Sequence, residues 1–180
     1  MLPKQFQLSQ CLQFFPNRRG ITLETFGMGQ VKSIWLKRFH RGPMDEVKRA
    51  TVLKGRGLSD NADQGGQRQV TIISQEEWTE TEKALAVGIA PIKRRANLLV
   101  SDIELKDTRN RVLRIGDCRL RIRGETRPCK QMDYAVAGLR TALSQDWRGG
   151  VYAEALNSGT IAVGDDANWE DVLLDSTNRD

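Results

Sequence analysis

Short runs of β-forming residues, each bounded by glycine, asparagine or aspartate, recur along most of this 180-residue chain. The runs occupy residues 31–36, 50–53, 69–74, 97–103, 112–115, 118–122, 151–156 and 161–163. Turn sequences separate two pairs of them, Gly116-Asp117 in one pair and Asn157-Ser158-Gly159 in the other, and each pair predicts a β-hairpin. Many short strands at this spacing are typical of a barrel or a sandwich, so the chain is predicted to be mainly β.

Two segments have the residue spacing of helices. Residues 74–77, Ser-Gln-Glu-Glu, fit a capping box in which the serine accepts from free backbone N–H groups and the last glutamate reaches back. The first helix is predicted to run from there to Val87 and to end at Gly88. The second is predicted to begin near Asp133 and to end at Gly149-Gly150, since its apolar residues recur at helical spacing.

The length predicts one domain with short appendages. Residues 1–27 are predicted to be an N-terminal extension outside the core, because glutamines interrupt their apolar run and no signal-peptide cleavage site follows. Their Arg18-Arg19 pair and scarcity of acids are also features of a transit peptide, and Met28 could itself be a start codon. Residues 28–170 are predicted to form the domain, and residues 171–180 an acidic solvated tail.

The net charge of +5 favours anionic partners. Residues 28–160 contain 24 basic and 16 acidic residues, so the positive charge belongs to the predicted folded body. Aromatic residues make up only 6% of the chain, which gives few platforms for stacking bases and makes nucleic acid a less favoured partner. No stretch approaches the ~20 apolar residues of a membrane span, so no membrane association is predicted.

Histidine and cysteine are scarce. His40 is the only histidine, which excludes zinc sites built on paired histidines and leaves one candidate imidazole base. The three cysteines, Cys11, Cys118 and Cys129, have no CxxC spacing. They predict free thiols in a reducing compartment, the cytoplasm.

Cys129 is the candidate reactive residue. It follows Arg127-Pro128 and precedes Lys130, and neighbouring positive charge favours the thiolate, the form that acts as nucleophile and metal ligand. Cys118 falls on the apolar face of its strand and is predicted to lie in the core. An inert packing role for Cys129 stays open beside the reactive one.

Three further segments could meet an anion. Residues 119–123 carry arginine at alternate positions, which predicts either an anion-binding wall or a solvated strand face. The glycine-rich segment 55–68 could form a nest of backbone N–H groups or a plain mobile loop. Arg95 and Asn97 stand just before a strand, where they could contact a ligand or belong to a solvated basic turn.

The ordered motifs together carry a family resemblance. They are Gly57-Leu58, Gly65-Gly66-x-Arg68-Gln69-Val70-Thr71, Arg95-x-Asn97-Leu98, Ile115-Gly116-Asp117, Arg127-Pro128-Cys129, and a closing set of Gly150, Gly159 and Ile161-x-Val163-Gly164-Asp165 that looks like a last hairpin. This order resembles the MOSC domain, named for the C-terminal part of molybdenum-cofactor sulfurases, over about residues 28–169. Many relatives have Gly-Leu-x-Gly-Asp where this chain has Gly57-Leu58-Ser59-Asp60-Asn61, which leaves the role of Asp60 open.

The resemblance implies a MOSC-type β-barrel with two or three flanking α-helices and a pocket for molybdenum cofactor (molybdopterin). It implies that Cys129 either ligates molybdenum or carries persulfide sulfur. It further implies that Arg68, Arg95, Asn97 and Arg127 bind the cofactor. Because the chain lacks the aminotransferase-like half of the sulfurases, pyridoxal phosphate is not expected.

Two functions follow from the resemblance. One is reduction of N-hydroxylated compounds through a molybdenum ion ligated by Cys129, with electrons from a partner reductase. The other is sulfur transfer by a Cys129 persulfide in cofactor biosynthesis, with a cofactor- or sulfur-donor protein as partner. The chain lacks the N-terminal companion domain of the mitochondrial amidoxime reductases, so part of the pocket is expected to be open or completed by another subunit. The oligomeric state stays open.

Overall fold

The computed structural model describes residues 28–170, so the predicted extension at 1–27 and tail at 171–180 lie outside the described residues. The elements are β1 (Gly29–Lys37), β2 (Met44–Val47), β3 (Arg49–Leu53), β4 (Gly57–Leu58), β5 (Val70–Ser74), α1 (Gln75–Leu85), a 3₁₀ helix (Pro91–Arg94), β6 (Leu98–Ser101), β7 (Val112–Ile115), β8 (Cys118–Glu125), α2 (Gln131–Ala135), α3 (Leu139–Leu143), β9 (Val151–Ala155), β10 (Gly159–Ala162) and β11 (Asp166–Trp169). Across residues 28–170 no helix has the length and apolar character needed to cross a membrane.

Seven strands form a closed barrel in the order β11-β7-β8-β9-β5-β6-β1. Antiparallel pairing of Gly29 with Ala167 joins β1 to β11 and closes the ring. Only β5 and β6 run parallel, because α1 and the 3₁₀ helix form the crossover between them. Strand β2 extends the sheet beyond β1, and β10, β3 and β4 form a second small sheet. The predicted mainly β barrel with flanking helices is therefore confirmed.

Two apolar clusters hold these layers together. Side chains from the barrel strands fill the interior, and a second cluster packs the helices against the outside of β5 and β6. Strand β8 alternates as predicted: Cys118, Leu120 and Ile122 are buried, while the arginines between them face outward. Every residue of β5 is buried, because one of its faces meets the interior and the other meets the helices.

The predicted N-terminus of α1 is confirmed. The Ser74 hydroxyl accepts from the Glu77 N–H at 3.4 Å, but the glutamate does not complete a capping box. The Glu77 carboxylate lies 3.4 Å from the Arg148 guanidinium instead. The helix ends at Leu85, and Ala86 with φ +51° takes the left-handed C-cap position two residues before the predicted stop at Gly88.

The second predicted helix is wrong as a single element. The segment forms two five-residue helices, α2 and α3, because Val136 is extended and Gly138 adopts φ +83° between them. Both helices still contribute buried residues to the outer cluster, Met132 from α2 and Leu139 and Leu143 from α3. The helical spacing was therefore a good guide to burial, whereas a local backbone reversal ended the first helix early.

The predicted hairpin around Asn157-Ser158-Gly159 is also wrong, and so is a final hairpin of the strands that follow. Strand β9 pairs with β5 and β8, β10 pairs with β3 in the small sheet, and β11 returns to the barrel. The Asn157 side chain accepts from the Arg119 N–H, and the Ser158 hydroxyl accepts from the Lys54 N–H. These long-range bonds direct the chain from one sheet into the other.

Gly150 marks a close approach of two backbones and generates a test of the packing. It has φ +83°, and a Cβ there would lie 2.2 Å from the Ile72 carbonyl oxygen. Gly164 also has positive φ, +95°, but faces open space. We expect Gly150→Ala to lower the free energy of unfolding by about 1–3 kcal/mol more than Gly164→Ala, measured by urea denaturation. Equal losses would mean that the two backbones are not in close contact.

Candidate functional site

A cleft of about 960 Å³ opens beside Cys129. Four segments of the chain build it: the end of β1 with the turn after it, the loop between β4 and β5, Arg95 before β6, and the beginning of α2. The glycine-rich loop singled out in the sequence thus forms one wall, contributing residues 62–65 and Arg68. The segments are distant in sequence, so the cleft exists only in the folded chain.

The cleft is strongly cationic. Its lining contains five lysines and arginines, which are Lys37, Arg41, Arg68, Arg95 and Lys130. The described lining holds one carboxylate, Asp63, which is bonded to Lys37 Nζ and lies 3.6 Å from His40 Nδ1. Burial raises the pKa of Asp63, but Lys37 and His40 together outweigh it and hold that pKa below its ordinary value. A positive cleft whose acid is already paired is suited to an anionic ligand.

The structure places Cys129 in the cleft wall, just after β8 and immediately before α2. Its thiol is free and exposed, and Sγ lies 3.9 Å from Gln131 Oε1. Cys118 is fully buried, and burial raises the pKa of that thiol to about 11, with Asp117 and Asp165 adding to the effect. The predicted core position of Cys118 is confirmed, and the two thiols occupy opposite environments.

Arg68 and Arg95 line the same cleft as Cys129, whereas Arg127 does not line it. The Arg127 side chain is 89% exposed, lies 3.8 Å from Glu125 and borders a separate hollow. Arg95 adopts a left-handed φ of +63° as the C-cap of the 3₁₀ helix and donates to the Gly42 carbonyl at 2.7 Å. This contact ties Arg95 to the turn after β1.

Asn97 lies behind the cleft and does not line it. The residue is 5% exposed, and its Oδ1 accepts from the N–H and the hydroxyl of Thr71. Its Nδ2 donates to the Trp35 carbonyl and to Asn61 Oδ1. Both donors and both acceptor positions of the amide are used inside the protein, so Asn97 has a structural role, and its contact with a cofactor stays a prediction.

The family-pattern departure at Asp60 has a backbone explanation. Asp60 adopts φ +59°, a conformation that glycine takes most easily and aspartate tolerates, which accounts for glycine at this place in many relatives. The next residue, Asn61, stands where the pattern has aspartate. Asn61 is buried, and its Oδ1 accepts from the Lys37 N–H at 2.8 Å as well as from Asn97. It anchors the loop to β1.

Arg94 is a site residue that the sequence analysis missed. It is 5% exposed, and its guanidinium donates to the Gly149 carbonyl at 2.9 Å and to the Thr126 carbonyl at 2.8 Å. Burial, with Arg68 nearby, lowers its pKa to about 10, while Cys129 acts in the opposite direction. Arg94 therefore holds the segment that leads to Cys129 and stays charged beneath the cleft at neutral pH.

Two other features differ from simple expectation. His40 lines the cleft although nothing near it in sequence suggested a site. Two of the three outward arginines of β8 are ion-paired: Arg119 binds Glu170 through two bonds of 2.6 and 2.8 Å, and Arg123 lies 3.2 Å from Glu154. None of the three lines the cleft, which favours the alternative of a solvated strand face.

The role assigned to Arg94 is testable by substitution. We expect Arg94→Met to lower the free energy of unfolding by about 2–4 kcal/mol, since two carbonyls lose their buried donor. Arg140→Met removes the same charge from the exposed surface of α3 and is expected to stay within about 0.5 kcal/mol of the parent. Urea denaturation measures both. Similar values for the two variants would contradict an anchoring role for Arg94.

The two thiols should differ in reactivity. In a Cys11→Ser background at about pH 8, we expect iodoacetamide to modify the exposed Cys129 and to spare Cys118, because Cys118 is buried and its raised pKa, about 11, leaves little of the reactive thiolate. Mass spectrometry of tryptic peptides measures the modification at each site. Equal labelling of both cysteines in the folded protein would show that Cys118 is not enclosed by the barrel.

Comparison with known proteins matches residues 37–168 to the MOSC domain. Among solved structures, the YuaD protein from Bacillus subtilis superposes with a TM-score of 0.68 at 17% identity, covering 78% of this chain and 94% of that one. YiiM from Geobacillus stearothermophilus gives 0.65 at 15% identity, covering 79% and 75%. YiiM from Escherichia coli gives 0.61 at 12% identity, covering 79% and 70%. No curated protein matches the sequence.

The similarities to solved structures, all at low sequence identity, support the fold alone. The domain match bears on the whole site, because residues 37–168 include every residue that lines the cleft as well as Arg94 and Asn97 beneath it. The chain belongs to the MOSC domain family.

Proposed function

We propose that this chain binds molybdenum cofactor in the cationic cleft, with Cys129 as the protein ligand to molybdenum, and reduces N-hydroxylated compounds. The MOSC family is associated with molybdenum cofactor. The observation that carries the proposal is that the exposed Cys129 thiol opens into the same cleft as five lysines and arginines. Reduction of N-hydroxylated compounds is an activity that the family resemblance implies, and we assign it to this chain.

The donor set fits such a group. A thiolate is a soft ligand suited to a thiophilic metal, and residues 28–170 contain no group of three or more His, Cys, Asp or Glu side chains placed to hold a metal ion. The metal must therefore arrive with most of its ligands supplied by its organic part, as in a pterin cofactor. Arg68 and Lys130 would meet the phosphate tail, because guanidinium and ammonium groups bind phosphate oxygens strongly.

The reaction needs electrons, protons and a position for the substrate. The N–O bond of R–NH–OH breaks as two electrons and two protons are taken up, and R–NH₂ and water leave. The bound cofactor supplies the two-electron redox chemistry, with electrons drawn from a partner reductase. The chain supplies His40 for proton delivery, since this imidazole lines the cleft and its Nδ1 lies 3.6 Å from the Asp63 carboxylate, which orients the ring.

Sulfur transfer is the second candidate, and the exposure of Cys129 favours it. A persulfide forms when the Cys129 thiolate takes the outer sulfur of a donor protein's persulfide and the donor leaves as a thiolate. The open cleft leaves the Cys129 sulfur accessible to a partner. In this case the lysines and arginines of the cleft would bind an anionic molecule that accepts the sulfur from Cys129.

Metal and pterin content distinguish the candidates. Protein produced in a host that makes molybdenum cofactor is expected to contain molybdenum and pterin near one equivalent, and Cys129→Ser is expected to lose at least about 90% of the metal because a hydroxyl is a poor soft-metal ligand. Cys11→Ser, outside residues 37–168, is the matched control. Elemental analysis, pterin fluorescence and N-hydroxy reduction with a chemical electron donor are the measurements.

The outcomes separate the two proposals. A folded wild-type protein without molybdenum, whose Cys129 gains 32 Da in intact-mass spectra (about one sulfur atom), would favour the sulfur carrier. Molybdenum retained fully by Cys129→Ser would contradict the assigned ligand. Molybdenum that is bound through Cys129 but gives no N-hydroxy reduction would support the cofactor site and contradict the reductase activity.

A further inference from the structure

A side groove of about 420 Å³ adjoins the cationic cleft. The two spaces share Arg95, Gln131 and Tyr134, so a single ligand can extend from one into the other. The 3₁₀ helix forms one wall of the groove and α2 forms the other. The groove therefore begins at the cleft and leads away from it along the protein surface.

The groove has the surface of an aromatic binding site. Met44, Ile92 and Ala135 supply apolar lining, and the Tyr134 ring stands at the junction with the cleft. Tyr134 is 86% exposed, the highest value among the large hydrophobic side chains of the described chain. An exposed ring beside apolar side chains offers a face on which a planar ring can stack.

The charge of the groove is positive and unpaired. Lys93 and Arg95 line it, and no carboxylate does so within the described residues. Neither cation belongs to an ion pair among residues 28–170, unlike Arg119 and Arg123 of β8. Arg95 uses one N–H on the Gly42 carbonyl, whereas Lys93 is exposed and lines the groove but not the cleft. An anionic group on the ligand would find its partner here.

We propose that the side groove binds the body of the substrate and selects an aromatic ring that carries a carboxylate. The ring stacks on Tyr134, the carboxylate meets Lys93, and the N-hydroxylated end extends into the cleft. An aliphatic anion would leave the ring of Tyr134 unused, and a neutral arene would leave the cations unpaired. The choice of substrate class rests on the proposed reductase function, but the groove itself can be tested without turnover.

Two amidoximes that differ only in a ring carboxylate test the proposal. We expect 4-carboxybenzamidoxime to bind about tenfold more tightly than benzamidoxime, because a charge-assisted contact outweighs the loss of carboxylate hydration in a groove without acids. Isothermal titration calorimetry on the purified full-length chain gives both dissociation constants. Saturation-transfer NMR then shows whether the ring protons of the bound ligand are close to the protein.

Three variants locate the selectivity. Lys93→Gln is expected to reduce the tenfold preference to about twofold, and Tyr134→Ala to weaken both ligands about fivefold, since stacking serves both rings. Lys48→Ala removes an exposed lysine that lines neither space and is the matched control, with no change expected. Both test residues are exposed, so their substitution leaves the fold intact, which circular dichroism verifies.

Equal binding of the two amidoximes, or a preference that survives Lys93→Gln and disappears in Arg68→Gln, would overturn the proposal, because the anion would then lie in the cleft. The failure of the reductase function looks different. If the wild-type chain shows the binding preference but reduces neither amidoxime when loaded with molybdenum, the groove proposal is supported and the reductase proposal is contradicted. If the chain reduces both amidoximes with equal kcat/KM and binds both equally, the reductase proposal is supported and the groove proposal is contradicted.

Discussion

Closure of the barrel is the constraint on which the other features depend. The pairing of β1 with β11 joins the first and last described strands and leaves no unpaired edge in the ring. Once the ring is closed, β5 is covered on both faces, and the turn after β1 lies across from the segment that precedes β6. Within the ring, the direct pairing of β1 with β6 places the turn after β1 beside Arg95, so that two walls of the cationic cleft meet.

Buried polar side chains transmit that constraint to the cleft. Asn97 bonds to Trp35 of β1, to Thr71 of β5 and to Asn61 in the loop before β5. Arg94 bonds to the segments before Cys129 and before β9. Each is nine-tenths or more buried, so breaking its bonds leaves unsatisfied groups in the protein interior. The cleft thus has a fixed base of paired polar groups beneath an exposed rim of cations.

The distribution of charge separates structure from ligand binding. Arg119 and Arg123 on β8 are paired with Glu170 and Glu154, while most cations of the cleft and side groove have no acid partner among the described residues. Unpaired cations in a concave surface repel one another, and this repulsion is relieved when an anion binds. The same surface therefore accounts for both the proposed cofactor site and the proposed selection of a carboxylate on the substrate.

The sequence by itself determined the features that depend on near neighbours. The alternation of β8 predicted that Cys118 is buried, and Ser74 predicted the start of α1. The ordered motifs identified the domain, and within it they made Cys129 the candidate reactive residue. Only the tertiary structure decided that the Arg94 side chain is buried while Arg95 lines the cleft. It also decided that the Asn97 amide is fully hydrogen-bonded inside the protein, and that β10 pairs in a different sheet from β9. Adjacent residues share a local pattern, but the partners that complete their hydrogen bonds lie far away in sequence, where only the closed barrel brings them together.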